Sequence, residues 1–154
     1  HQGVGMVVIT DLVDDVNNIH PQDKHDVGYR LANWALAETY HKPDIIYKSP
    51  VFKAMEVQKG KAIISFENVK SDLQSKDGGV TELYIAGSDR IFYPAKAKID
   101  HDKLIVWSKT IPDPIAVRYA FGNTAIGNLF SQEGLPVTAF RTDNWDVDTS
   151  AIKP

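Results

Sequence analysis

His20 is the residue whose type and surroundings best suit chemistry. It ends a polar loop, residues 11–20, that follows the apolar run Val7-Val8-Ile9, and Pro21 comes directly after it. Catalytic groups of α/β folds lie beyond the carboxyl ends of strands, and an imidazole, which titrates near neutral pH, is a natural general base. His20 is therefore a candidate base, and an ordinary loop histidine is the alternative on residue types alone.

Two elements must position this histidine. Residues 6–10 form a continuous apolar run, which predicts a short strand covered on both faces. Residues 22–41 carry apolar side chains at helical spacing, with Pro21 in the first turn, where its missing N–H costs nothing. Lys42-Pro43 ends the pattern, so the sequence predicts a strand–loop–helix unit over residues 1–43.

The pattern changes after Pro43. Short alternating runs separated by turns every eight to twelve residues predict a mainly antiparallel β-sandwich over residues 44–154. The predicted strands are Phe52–Gln58, Lys61–Glu67, Thr81–Ala86, Ala95–Ile99, Lys103–Ser108 and Ala116–Phe121.

Seven segments, in order over nearly the whole chain, resemble the C-terminal portion of the sialate O-acetylesterases, which are SGNH-type serine hydrolases. They are Gly5–Leu12, Ile19–Pro21, Val27–Ala32, Val117–Phe121, Gly127–Phe130, Gly134–Val137 and Phe140–Asp143. The resemblance implies that residues 1–43 are the end of an SGNH-type catalytic domain. It also implies hydrolysis of O-acetyl esters on sialic acids by a serine that His20 activates.

In that family the nucleophilic serine lies far upstream, in a segment that this sequence does not contain. We therefore expect the chain to be the C-terminal part of a longer enzyme, to need the N-terminal part of that enzyme as its partner, and to be inactive alone. The expected substrate is O-acetylated sialic acid or a sialoglycan, no cofactor is expected, and the expected location is secreted or periplasmic.

A histidine base needs an acceptor that fixes its second ring nitrogen. Many SGNH hydrolases place an aspartate three residues before the histidine, where this sequence has Asn17. The orienting group is therefore open between the Asn17 amide oxygen, a carboxylate from Asp14 or Asp15, and a backbone carbonyl.

Other charged and aromatic residues have two readings each. Arg141 could bind the sugar carboxylate or tie the tail to the catalytic domain, and we favour the second. Trp145, in the polar tail, is the tryptophan expected to be exposed and able to stack on a sugar. Lys24 and Arg30 could attract an acidic sugar, although surface pairing is the simpler reading, and Asp11 could cap the loop or serve the site.

Composition excludes several classes of function. The formal net charge of −3 provides no basic field for nucleic acid, no apolar run approaches a membrane span, and the absence of cysteine excludes thiolate metal sites. No histidine has carboxylate spacing that indicates zinc, so no metal is expected. The alternative function is a non-catalytic β-sandwich accessory or carbohydrate-binding module.

Overall fold

The computed structural model describes residues 3–18 and 20–147. One helix, α1, spans Lys24–Glu38, and most of the remaining regular structure is antiparallel sheet. The strands are β1 Val51–Gln58, β2 Lys61–Glu67, β3 Leu73–Ser75, β4 Leu83–Ala86, β5 Phe92–Pro94, β6 Lys96–Asp100, β7 Lys103–Trp107, β8 Ala116–Tyr119, β9 Leu129–Ser131 and β10 Phe140–Arg141.

The strands form two four-stranded sheets and one small pair. The first sheet has the order β1-β2-β7-β6 and the second the order β10-β8-β4-β5, while β3 pairs with β9. The chain passes from the second sheet to the first between β5 and β6, around Ala95, whose N–H donates to the Leu83 carbonyl over 2.9 Å.

Tight turns set the register of the hairpins. Lys59 and Gly60, with φ of 50° and 72°, join β1 to β2, and positive φ at both central residues suits the right-handed twist of a hairpin. His101, with φ of 55°, lies in the turn between β6 and β7. The Asp100-His101-Asp102 stretch is therefore a hairpin turn, as its residue types predict.

The core lies where the apolar faces of the two large sheets meet. Every second residue of β2 is buried, namely Ala62, Ile64 and Phe66, as expected of a strand with one covered face. The second sheet contributes the fully buried Ile85 and Val117. The prediction of antiparallel sheets is confirmed, and their shared core is consistent with a β-sandwich.

Helix α1 is shorter than the predicted span of residues 22–41. Asp23 caps its start by accepting a hydrogen bond from the Asp26 N–H over 2.9 Å, so Pro21 lies before the helix and not in its first turn. Thr39 ends it by donating its N–H to Ala35. Among the described residues, no helix combines the length and the apolar character that crossing a bilayer requires.

The predicted strand at residues 6–10 is wrong for this chain. Residues 4–9 carry no strand pairing, Thr10–Leu12 form a 3-10 turn, and Met6 is 86% exposed. A strand needs a neighbour for its backbone groups, and the described residues offer this run none. The sequence also failed to reveal β3, β5, β9 and β10, because two or three residues are too few to show alternation.

Candidate functional site

Arg30 fastens helix α1 to the segment that leads into the His20 loop. Its guanidinium donates to both carboxylate oxygens of Asp11 over 2.7 Å each and to the Val8 carbonyl over 2.6 Å. The two charged side chains are only 10% and 7% exposed. The hydrogen bonds that Arg30 donates to Asp11 raise the pKa of Arg30 above its ordinary value.

This pair corrects the sequence reading of both residues. Arg30 is not a surface base, because it is buried and its Nη1 and Nη2 atoms donate to Asp11 and Val8. Asp11 likewise holds the start of the loop, since both of its carboxylate oxygens accept from Arg30. Opposite charges on either side of the loop were the available signal, and a separation of 19 residues gave no reason to pair them.

The polar side chains of the His20 loop bind the backbone of the loop itself. Oδ1 of Asp15 accepts from the N–H of Asn17 over 2.9 Å and from its side-chain amide over 3.1 Å, and Oδ1 of Asn18 accepts from the His20 N–H over 3.0 Å. Such turns are the usual role of Asp and Asn in loops. Asp14 is exposed. Asp15, Asn17 and Asn18 therefore shape the loop that displays His20.

The His20 side chain is exposed at the end of this loop. Within the part of the chain that the structure describes, no hydrogen bond joins its imidazole to Asp14, Asp15 or Asn17. Its role as a base, and the identity of its orienting group, stay predictions.

The first turn of α1 brings three possible metal ligands together. Ligand atoms of Asp23, His25 and Asp26 lie within 4.8 Å of one another. Capping explains this arrangement, since Asp23 accepts from the Asp26 N–H and Nδ1 of His25 lies 3.0 Å from Oδ1 of Asp26. The expectation that the protein binds no metal stays a prediction.

A cavity of about 350 Å³ separates the His20 loop from the β-sandwich. Asn18 and Pro21, which flank the histidine in sequence, line one side of it. Gly122, Asn123 and Ala139 line the other side. The loop between β8 and β9 therefore faces the predicted catalytic loop, an arrangement that no sequence pattern indicated.

Arg141 and Trp145 belong to a cluster that fixes the C-terminal tail. Nη1 of Arg141 donates to the Trp145 carbonyl over 3.0 Å, and its guanidinium lies 5.5 Å from the centroid of the Phe121 ring. Trp145 is half-buried rather than exposed, because it packs against Phe92, with 5.6 Å between the ring centroids, and against Arg90. A substrate-binding role for Arg141 or Trp145 stays a prediction.

A second ion pair holds the same tail. Arg118 on β8 donates to both carboxylate oxygens of Asp143 over 2.9 and 2.7 Å, and the Asp143 side chain is 1% exposed. The hydrogen bonds from Arg118 lower the pKa of Asp143. Thr142 adds a further hydrogen bond between the tail and β8, since its hydroxyl accepts from the Val117 N–H over 2.9 Å. The Phe140–Asp143 motif is thus explained by tail attachment.

Gly127 and Asn128 have structural roles that the sequence did not reveal. A Cβ at Gly127 would overlap the buried Tyr119 side chain, so only glycine fits there without a shift. Asn128 links the turn between β3 and β4 to β9. Its amide nitrogen donates to the carbonyls of Lys76 and Gly79 over 2.8 and 2.6 Å, and its oxygen accepts from the Thr81 N–H over 2.9 Å.

Comparison with known proteins gives a likeness among solved structures. No protein-family model and no curated protein matches the chain. The chain is similar to the crystal structure of a carbohydrate acetylesterase from Xanthomonas citri, with 41% sequence identity and a TM-score of 0.82 over 90% of the chain. It spans 32% of the length of that protein.

Proposed function

We propose that this chain is part of a carbohydrate acetylesterase and that His20 is its catalytic base. The observation that carries the proposal is the likeness to the Xanthomonas citri acetylesterase, at 41% identity over 90% of the chain. The chain covers about a third of that enzyme (32%), so we further propose that the remaining catalytic groups, including a seryl nucleophile, lie on parts of the enzyme outside this sequence.

In this mechanism His20 takes the proton from the serine hydroxyl as the oxygen attacks the acetyl carbonyl. The sugar oxygen then leaves with that proton, and an acetyl-serine remains. Water, deprotonated by the same imidazole, attacks the acetyl-serine, and acetate leaves as the serine regains its proton. The chain supplies the proton carrier in both steps.

The geometry supports this role because the His20 loop is held on both sides. The buried Arg30–Asp11 pair fixes the segment before the loop, and the Asp23 cap fixes the helix after it. A base on a held loop keeps its position relative to a substrate, which is the main requirement for efficient proton transfer. Its exposure leaves the ring accessible to groups from the rest of the enzyme.

The finer assignment concerns the fold and the substrate. We assign residues 1–43 to the end of an SGNH-type domain, and we propose O-acetylated sialic acid or a sialoglycan as the substrate, in a secreted or periplasmic enzyme. The sequence resemblance to sialate O-acetylesterases supports both assignments. The apolar segment 4–9 also supports the first, since its run of apolar residues is typical of a buried strand and carries no strand pairing among the described residues.

Acetate release by the complete enzyme tests the proposal. The substrates are an O-acetylated sialic acid and an O-acetylated neutral oligosaccharide, with the deacetylated sugars as controls. We expect the larger kcat/KM on the sialic acid. Activity on the neutral sugar alone would contradict the sialate assignment, and no acetate from either would favour the non-catalytic binding module.

A further inference from the structure

We infer that the β-sandwich takes part in substrate recognition through the loop of residues 120–126, which binds the sugar chain bearing the acetyl group. The inference rests on the proposed function. The sandwich is then one wall of the substrate site and not a separate accessory domain.

The first observation is that two neighbouring cavities are lined by the same loop, and that the first of them lies beside the His20 loop. The 350 Å³ cavity beside Asn18 and Pro21 shares Ala120, Gly122, Asn123 and Ala139 with a second cavity of about 740 Å³. The second cavity continues to Arg141 and Val147. The 120–126 loop therefore lines both the cavity beside the His20 loop and the cavity that reaches the C-terminal tail. Volumes of several hundred Å³ are those of ordinary small-molecule sites.

The second observation is the chemistry of the loop. Phe121 is 43% exposed although it is a large aromatic residue, and Asn123 beside it presents an exposed amide. An aromatic ring covers the apolar face of a sugar, and an amide both donates to and accepts from its hydroxyls. The guanidinium of Arg141, which lines the second cavity, adds positive charge that suits an acidic sugar.

The third observation is that the loop is held in place. Its first residue, Ala120, adopts a φ of 47°, which is unusual for a residue other than glycine, and its N–H donates to the Glu82 carbonyl over 2.8 Å. Ala125 packs against the core and donates its N–H to Gly122. Strained backbone that the surrounding structure maintains is frequent at binding sites. The polar and aromatic side chains of the loop are thus presented from a fixed support.

The test compares Asn123→Ala and Phe121→Ala with the parental form of the complete enzyme. Each variant is assayed on an O-acetylated oligosaccharide and on a small aryl acetate that lacks a sugar. We expect KM for the oligosaccharide to rise about tenfold, equivalent to about 1.4 kcal/mol, with kcat nearly unchanged. The aryl acetate should be hydrolysed as by the parental enzyme.

Ile115→Ala is the matched control, since Ile115 is 48% exposed and lines neither cavity. Its kcat and KM on both substrates should equal those of the parental enzyme. Unchanged oligosaccharide kinetics in both loop variants would overturn the inference and leave the proposed function intact. An equal loss of activity on both substrates, in a variant with parental thermal stability, would do the same. A parental enzyme that hydrolyses neither substrate would instead remove the proposed function.

Discussion

At the scale of single residues, Arg30, which the sequence offered as a possible sugar ligand, forms a structural ion pair, and Arg118 forms a second one. Arg30 and Arg118 each make a two-pronged contact with one aspartate, Asp11 and Asp143 respectively. A planar guanidinium matches a carboxylate in this way and fixes its direction as well as its distance. One pair precedes the His20 loop and the other attaches the tail, so both act on the shape of the site from outside it.

Breaking the Arg30–Asp11 pair should destabilise the chain strongly. Asp11→Asn removes one charge and leaves a guanidinium that is 10% exposed without its counter-ion. We expect a loss of about 3 kcal/mol in the free energy of unfolding, at the low end for buried pairs. Urea unfolding measures it. Glu38→Gln, which breaks the exposed pair with Lys48 but keeps an oxygen that can accept from the Tyr47 hydroxyl, is the control and should change stability far less. Equal effects of the two substitutions would show that burial of the Arg30 pair is unimportant.

Substitution by alanine is expected to change stability in opposite directions at two glycines. Gly127→Ala places a Cβ against the Tyr119 ring and should cost about 1–3 kcal/mol of stability through overpacking. Gly28→Ala, in the middle of α1 with open space around it, should gain about 0.5–1 kcal/mol because alanine favours the helix. Thermal unfolding of the two variants compares them directly, and a destabilised Gly28→Ala or a neutral Gly127→Ala would contradict this packing account.

Because Tyr119 is buried, we expect the folded protein to lose stability in alkali. Burial, the largest cause, raises its pKa from 10.0 to about 12. The unfolded chain therefore loses this proton near its ordinary pKa while the folded chain keeps it. Below that point the contribution of Tyr119 is complete, and between the two pKa values stability falls as pH rises, by up to about 3 kcal/mol.

Urea unfolding from about pH 9 to about pH 12 measures this loss. Tyr119→Phe removes the titrating group, so its stability should fall less steeply over the same range. The variant should be less stable at neutral pH, because the Leu129 N–H loses the hydroxyl that accepts its hydrogen bond over 2.8 Å. Parallel pH profiles for the two proteins would show that Tyr119 does not titrate as described.

At the scale of elements, helix α1 and the sheets differ in how they are supported. The only buried residue of α1 is Arg30, whereas Tyr29 and Leu31 are 60% and 49% exposed. In contrast, β2 and β7 both place side chains in the central core. The helix therefore relies on the ion pair and on contacts near its ends, such as the 2.6 Å hydrogen bond from Tyr47 to Glu38.

This difference predicts that residues 1–42 open more readily than the sandwich. Amide hydrogen exchange in the isolated chain should be faster in α1 than in β2 and β7, because few buried apolar contacts resist opening of the helix. Mass spectrometry of exchanged peptides resolves the two regions. Slower exchange in residues 27–37 than in these strands would contradict the expectation.

The sequence predicted the long elements well and the site only in outline. β2 was placed within its observed bounds because its buried and exposed residues alternate over seven positions. The strand at residues 6–10 was wrong since apolar character alone does not create a pairing partner. The cavity between Asn18 and Asn123 depends on contacts between residues about a hundred positions apart, which no local pattern encodes.

At the scale of the whole molecule, the structure brings two parts of different character to one cavity. The N-terminal part contributes Asn18 and Pro21, on either side of His20 in sequence, and the sandwich contributes the loop of residues 120–126. The Xanthomonas citri acetylesterase is similar over 90% of this chain, so this arrangement is expected to occur within a much longer enzyme. In the longer enzyme of which we propose this chain to be a part, His20 transfers the proton.

The most direct test is the rate of acetate release by the complete enzyme carrying His20→Ala. We expect kcat to fall by roughly three to six powers of ten, as when a serine loses its base, with little change in KM. His25→Ala is the matched control, because His25 is an exposed histidine bonded to its neighbour Asp26, and it should keep the parental rate. A His20→Ala enzyme with near-parental turnover would contradict the account and return His20 to an ordinary loop residue.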